Sequence, residues 1–416
     1  MPLTRRRLLS TLGAATALAT TGAARPPART AAAPGAHPGA TRAPVTLRLP
    51  PPTGPWPVGT VELHLVDRTR PDPLVPARPF RELMAGVWYP ADPGGTYPTA
   101  PWLPPAAAAD WDEHSAPALG IRTGAVGWRG IRTHARTGAP VARAAGRLPV
   151  VLFSSGDGGT RALGTTLVEE LASRGYVVIS VDSTYEADQV EFPGGRVERA
   201  LPLPDELTPE VVAALLAQHS RARLADAAFV LGQLDSLARG HNPDAGRRPL
   251  PTGLPQALDV ARTGVFGQSL GGSVAAQLAH DDPRVRAAAG LDGEFVGPVA
   301  RSGVATPFLL MASGTKTLAT EPSWATFWAA STGWKHALRL RDAAHGSYTD
   351  LQVLLPPLTG RLPVPATELV GTIDPCRSLA AQRTAVTAFF DLHLKRRPTA
   401  FFEHPGDRHP EVEVLG

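Results

Sequence analysis

The stretch Gly264-Val265-Phe266-Gly267-Gln268-Ser269-Leu270-Gly271-Gly272 is an apolar run ending in G-x-S-x-G. It passes straight into Ser273-Val274-Ala275-Ala276-Gln277-Leu278-Ala279, which favours helix. Strand, sharp turn and helix in that order form a nucleophile elbow, in which the serine occupies a strained backbone position and projects alone. The flanking glycines are required because strand and helix come too close there for a side chain. The first N–H groups of the following helix have no partner within the helix and face any negative charge that develops at the serine. A solvated serine in a glycine-rich turn is the plainer reading, but a strand before and a helix after favour the nucleophile.

The elbow lies in an alternation of buried strands and helices. Leu148 to Phe153 and Tyr176 to Val181 are continuous apolar runs, as strands covered on both faces require. After the elbow come Val285 to Leu291, Pro307 to Met311 and His336 to Arg341. Helices are expected over Ala162 to Arg174, Thr208 to Ala238, around Trp324 and Trp328, and over Ser378 to Lys395. This order predicts an α/β fold with a mostly parallel, doubly wound sheet and helices on both faces. Gly59 to Val66 and Arg81 to Tyr89 read as earlier antiparallel edge strands. Tyr97 to Pro140, which carries Trp102, Trp111 and Trp128, is expected as a loop-rich cap, either packed as ordinary core cover or serving as a pocket wall or lipid-facing edge. Glu186 to Leu207 reads as loop, and 240–259 as a Pro/Gly-rich insertion.

A serine hydroxyl becomes a useful nucleophile when a histidine takes its proton and an acid fixes that histidine's tautomer. The chain order for such an elbow is Ser, acid, His. Of the histidines after Ser269, His345 alone sits in a small-residue loop following a strand, Asp342-Ala343-Ala344-His345-Gly346-Ser347. The usual strand for the acid ends Ala312-Ser313-Gly314-Thr315-Lys316 and carries no carboxylate. One strand earlier the chain reads Leu291-Asp292-Gly293-Glu294, which makes Asp292 the candidate acid, with Glu294 the substitute in another register. The turn Ser154-Ser155-Gly156-Asp157-Gly158-Gly159 lacks the third glycine of a dinucleotide fingerprint, Arg161 standing in its place. It suits an oxyanion loop instead, supplying one donor while the N–H after the nucleophile, that of Leu270, supplies the other.

The chain's ends and composition narrow the rest. Thr4-Arg5-Arg6-Arg7-Leu8-Leu9 before a short apolar stretch fits a twin-arginine export signal over 1–24. A Pro/Ala-rich linker follows over 25–44, then a single domain over 45–416, so a secreted protein is expected. The single cysteine, Cys376, cannot make an internal disulfide, and no Cys/His spacing suggests zinc, so neither metal nor cofactor is expected. Glu403-His404-Pro405-Gly406-Asp407-Arg408-His409 is the one ligand-rich stretch, and Pro405 within it and Pro410 after it disrupt it. A net charge of +4 spread along the chain is no nucleic-acid footprint.

The chain resembles the platelet-activating factor acetylhydrolase (isoform II) branch of the α/β hydrolases. The resemblance rests on Pro57-Val58-Gly59, Val87-Trp88-Tyr89-Pro90, the serine elbow, Leu291-Asp292-Gly293 and the histidine loop. Asp292 stands 23 residues after Ser269, the displaced-acid arrangement of that branch. The resemblance implies a metal-free serine esterase or lipase on an ester or lipid substrate, in transient contact with a lipid surface, with Ser269, Asp292 and His345 as nucleophile, acid and base and the N–H groups of Asp157 and Leu270 as oxyanion donors. Two departures stand out: Ser155-Gly156 where the branch has His-Gly, and Gly267-Gln268-Ser269 where it has Gly-His-Ser. An acyltransferase or polyester depolymerase uses the same triad. A binding protein on a dead hydrolase scaffold is the non-enzymatic alternative, and the intact Ser, Asp and His stand against it.

Overall fold

The computed structural model describes residues 43–415, so the expected export signal and nearly all of the expected linker lie outside it. Its centre is an eleven-stranded sheet in the order β13-β12-β11-β10-β9-β5-β6-β2-β1-β4-β3. In chain order the strands are β1 (Val58–Asp67), β2 (Arg81–Pro90), β3 (Thr99–Pro101), β4 (Arg132–Thr137), β5 (Leu148–Ser154) and β6 (Val177–Asp182). After the separate hairpin β7 (Gln189–Phe192) and β8 (Arg196–Arg199) follow β9 (Leu258–Gln268), β10 (Val285–Leu291), β11 (Phe308–Ser313), β12 (Lys335–Leu340) and β13 (Val412–Val414). Strands β5, β6 and β9 to β12 run parallel, and β2 joins β6 antiparallel.

The parallel strands read as unbroken apolar runs because alternate side chains enter different cores. Val150 and Leu152 pack with the long helix Pro209–Ala238 and the elbow helix Leu270–Asp281 on one face. Val151 and Phe153 pack with helices Thr165–Ser173 and Pro375–Leu394 on the other. The sheet is therefore doubly wound, as the alternation of elements implies.

The structure corrects the sequence reading in three places. The 97–140 segment is not all loop: it supplies β3 and β4, which extend the sheet beyond β1. Trp102, Trp111 and Trp128 form a cluster with ring centroids 5.6–6.1 Å apart, each no more than 4 % exposed, so they face a core and not a lipid surface. Second, the expected loop 186–207 contains the β7–β8 hairpin. Its strands are four residues long and their charged residues hide the alternation, though Pro193-Gly194-Gly195 marked the turn. Third, the insertion read over 240–259 ends earlier, because β9 begins at Leu258 and pairs there with Leu148.

One buried acid makes the fold pH-sensitive. Glu169 is fully buried; one carboxylate oxygen accepts from the His134 N–H at 2.7 Å and the other has no hydrogen-bond partner among the described residues. Burial, reinforced by the nearby Asp350 charge, pushes its carboxyl up to about 8. The folded state thus holds this proton more tightly than the unfolded chain. Its contribution is complete below the ordinary carboxylate range and is lost as pH rises through about 8. Glu169→Gln should accordingly raise the thermal midpoint by about 2 °C or more at pH 9 and confer no gain at pH 4, as scanning calorimetry at the two values would show.

Candidate active site

Strand β9 delivers Ser269 to the elbow with φ 55° and ψ −124°, a backbone region that non-glycine residues rarely occupy. The two glycines are there for contact. A Cβ on Gly267 would lie 2.2 Å from the Gly271 carbonyl carbon, and one on Gly271 would lie 2.1 Å from the Ser154 oxygen. Neither position admits a side chain. Ser269 donates its N–H to the Leu291 carbonyl at 2.9 Å, which ties the elbow to the end of β10.

The residue after Leu291 is Asp292, fully buried, and His345 opens a short turn beyond β12. The His345 Nδ1 lies 2.7 Å from the Asp292 Oδ2. The same carboxylate accepts from the Ser313 N–H at 2.8 Å and from Lys316 Nζ at 3.2 Å. Burial alone would raise this carboxyl, but the His345 bond, the Lys316 charge and the Ser313 N–H together hold it below the ordinary range. Asp292 therefore stays ionised at neutral pH. The histidine turn is itself anchored, Ser347 donating to the Val370 carbonyl at 2.6 Å and accepting at its own carbonyl from Gln382 at 2.8 Å. Neither Glu294 nor Glu321 makes a hydrogen bond to His345 among the described residues. Of the other histidines after the elbow, His336 and His393 pack beside Trp334, where burial lowers their basicity, that of His393 to about 4.

The second ring nitrogen, Nε2, meets the Gln268 carboxamide nitrogen at 3.0 Å. With Nδ1–H given to Asp292, Nε2 carries the lone pair and Gln268 donates to it. Ser269 Oγ makes no hydrogen bond among the described residues, and it shares with His345, Gln268 and Asp157 a cavity of about 80 Å³. The N–H of Leu270, first of the elbow helix, and that of Asp157 have no acceptor among the described residues. The structure thus gathers all five sequence-selected residues, Ser269, Asp292, His345, Leu270 and Asp157, at the carboxyl ends of β5, β9, β10 and β12, where open α/β sheets place their ligands.

Sequence reasoning missed what holds the Asp157 loop. Arg223, buried on the long helix, donates to the carbonyls of Ser155 and Gly156, the latter at 2.9 Å, and is ion-paired with the fully buried Glu186. One turn earlier His219 Nδ1 lies 2.7 Å from the Asp157 carboxylate. Burial would raise the Asp157 carboxyl, but its bond to His219 and the nearby cations lower it; burial would lower His219, but Asp157 raises it. The only available signal was the four-residue spacing of His219 and Arg223, which places them on one helix face. Asp157, Glu186 and His219 are the only set of three or more described residues of metal-ligand type that converge, with candidate atoms within 4.8 Å of one another. Arg223 and His219 already match their charge, so this donor set fits a protein ion-pair network better than a metal centre. The ligand-type residues of the 403–409 stretch do not converge. Arg161, which breaks the dinucleotide fingerprint, pairs with Asp182 at the end of β6, giving both residues a structural role.

A doubly wound sheet with a serine at the elbow and an Asp–His pair beside it defines an α/β hydrolase. Residues 44–190 match the family described as platelet-activating factor acetylhydrolase, isoform II. A probable 1-alkyl-2-acetylglycerophosphocholine esterase of Arthroderma benhamiae is 26 % identical over 408 residues, covering 90 % of this chain and 96 % of that protein. The solved ferulic acid esterase of Streptomyces cinnamoneus is 34 % identical with a TM-score of 0.72, covering 89 % of this chain and 99 % of its own. The chain belongs to the platelet-activating factor acetylhydrolase isoform II-like branch of the α/β hydrolases and is a serine hydrolase of ester bonds.

Proposed function

We propose that this esterase works through an acyl-enzyme, with Ser269 as nucleophile, His345 as general base and then acid, and Asp292 as the group that fixes the imidazole. The single observation that carries the reading is the 2.7 Å bond from buried Asp292 to His345, whose ring lines the same cavity as Ser269. In the first step the Gln268 amide yields the Nε2 lone pair to the Ser269 hydroxyl. The serine oxygen attacks the ester carbonyl, and the oxyanion is met by the N–H groups of Leu270 and Asp157. His345 then returns the proton to the leaving alcohol, and water, activated by the same histidine, hydrolyses the acyl-serine. Export through a twin-arginine signal belongs to the same proposal and rests on the sequence alone.

A fluorophosphonate probe tests the reading directly. The intact protein should gain one phosphonyl group, mapped by mass spectrometry to the peptide carrying Ser269. No adduct on folded protein would favour a binding protein instead. Because Arg223 holds the carbonyls beside the Asp157 N–H, Arg223→Lys should misplace that donor and lower kcat by about 10- to 100-fold with little change in KM. Steady-state kinetics on a nitrophenyl ester would check it; unchanged kcat would remove the Asp157 loop from the oxyanion site.

A further inference from the structure

A second cavity, of about 230 Å³, shares a wall with the one at Ser269. Leu119, Asp157, Gly159, Leu163 and Leu351 line both, so the two are neighbouring compartments. Beyond that wall the second is mainly apolar, lined by Trp111, Leu74 and Tyr185 on one stretch and by Leu203 and Leu215 on another. Leu201, at 42 % exposure one of the few large apolar side chains left open to water among the described residues, also borders it. The cavity's polar lining is His219, whose Nδ1 is engaged by Asp157, and Gln218 on the long helix, together with Ser115, Glu186, which is ion-paired with Arg223, and Asp188.

We propose that this groove receives the acyl half of the ester, and that the acyl group is apolar and much larger than acetyl. The inference rests on the triad assignment above. In the tetrahedral intermediate the carbon at Ser269 carries three further substituents, each with a fixed destination. The oxyanion points at the Leu270 and Asp157 N–H groups, and the leaving oxygen must lie beside His345 Nε2 to take its proton. The acyl carbon takes the remaining direction, away from His345. The 230 Å³ groove borders the oxyanion loop at Asp157, Gly158 and Gly159 and is not lined by His345. The smaller cavity carries His345, Gly346, Thr349 and Leu369, and so holds the leaving-group side. A groove of about 230 Å³ holds a chain of many methylene groups, far more than the single methyl of an acetyl group. Its apolar lining would strip water from that chain, while a small acyl group would leave the groove wet and gain nothing from it.

The reading is tested by filling the groove from two walls, with Ala118→Trp and Leu215→Trp, and comparing two substrate series. One varies the acyl group from acetate to octanoate on a fixed nitrophenol. The other varies the alcohol from methyl to octyl on a fixed acetyl group. For the wild type, kcat/KM should rise with acyl length. In both folded variants the octanoate-to-acetate ratio should fall at least about tenfold, with the octyl-to-methyl ratio on acetate unmoved. A collapse of the alcohol series instead would assign the groove to the leaving group, and ratios unmoved in both series would show that substrate does not use it; either result overturns the proposal. Failure of the underlying triad reading would look different, as a wild-type protein that neither hydrolyses any of these esters nor takes up the fluorophosphonate.

Discussion

Ser269→Ala is expected to lower kcat by about 10⁴-fold or more on any ester the wild type hydrolyses, with the fold unchanged. The expectation follows from how little else the hydroxyl does. Its oxygen makes no hydrogen bond among the described residues, so removing it leaves no buried group unpaired. The backbone that holds it, at φ 55° between Gly267 and Gly271, is kept by the N–H bond to Leu291, which alanine retains. Alanine at that φ is strained to much the same degree as serine. The thermal midpoint should therefore stay within a few degrees while turnover collapses. Residual activity in such variants comes from the oxyanion donors and from binding, and here it should still depend on acyl length if the groove is used. Kinetics and a melting curve on the same preparation decide the matter: a folded Ser269→Ala protein with near-wild-type kcat would end the nucleophile assignment.

The sequence exposed the parts of this site that are fixed by backbone shape. A serine between two glycines that must touch Ser154 and Gly271 is a steric requirement, and it is written in adjacent residues. His345 was found because few residues can follow a buried strand and still reach back over it. Asp292 was found because the expected strand lacked an acid, but the turn after that strand carried Lys316, which went unremarked. The cation that contacts the acid is as informative as the missing carboxylate. Residues that act at a distance in the chain were hidden. His219 and Arg223 lie on a helix whose N-terminal half carries Val211 and Leu215, yet those apolar side chains are only partly buried while Arg223 is 5 % exposed. A buried arginine on a helix is legible only once its carbonyl partners, nearly seventy residues upstream, are known. Gln268 read as a neutral replacement for histidine in the elbow, and its contact with His345 Nε2 depends on a side-chain direction that no periodicity reports. For the edge strands the reason differs: β3 and β13 are three residues long, shorter than any alternation that pattern can register.

Asp292→Asn should lower kcat by about 10⁴-fold, and the neighbours of Asp292 say why the substitution is harsher than the loss of one charge. Every group that meets its carboxylate is a donor: the Ser313 N–H at Oδ1, and His345 Nδ1 and Lys316 Nζ at Oδ2. An asparagine must turn its own NH₂ toward one of these. Turned toward Ser313, it faces an N–H that cannot accept, in a fully buried place where an unpaired donor costs about 1–3 kcal/mol. Turned the other way, it donates to His345 Nδ1 and forces the imidazole into the tautomer that carries its proton on Nε2. That tautomer has no lone pair to take the serine's proton. Either orientation also leaves the Lys316 charge, only 7 % exposed, facing a neutral group. Glu321 provides the control. It lies one residue before helix Pro322–Ala330, beyond the strand that usually bears the acid, and makes no bond to His345 among the described residues. Its buried carboxyl is raised, first by burial, so Gln at that site replaces a group that already tends toward neutrality. Glu321→Gln should keep kcat within a few-fold of wild type. The measurement is kcat for both variants at the wild-type pH optimum, with circular dichroism on each. An active Asp292→Asn beside an inactive Glu321→Gln would return the acid to the usual strand, and the 23-residue spacing from Ser269 would then lose its catalytic meaning.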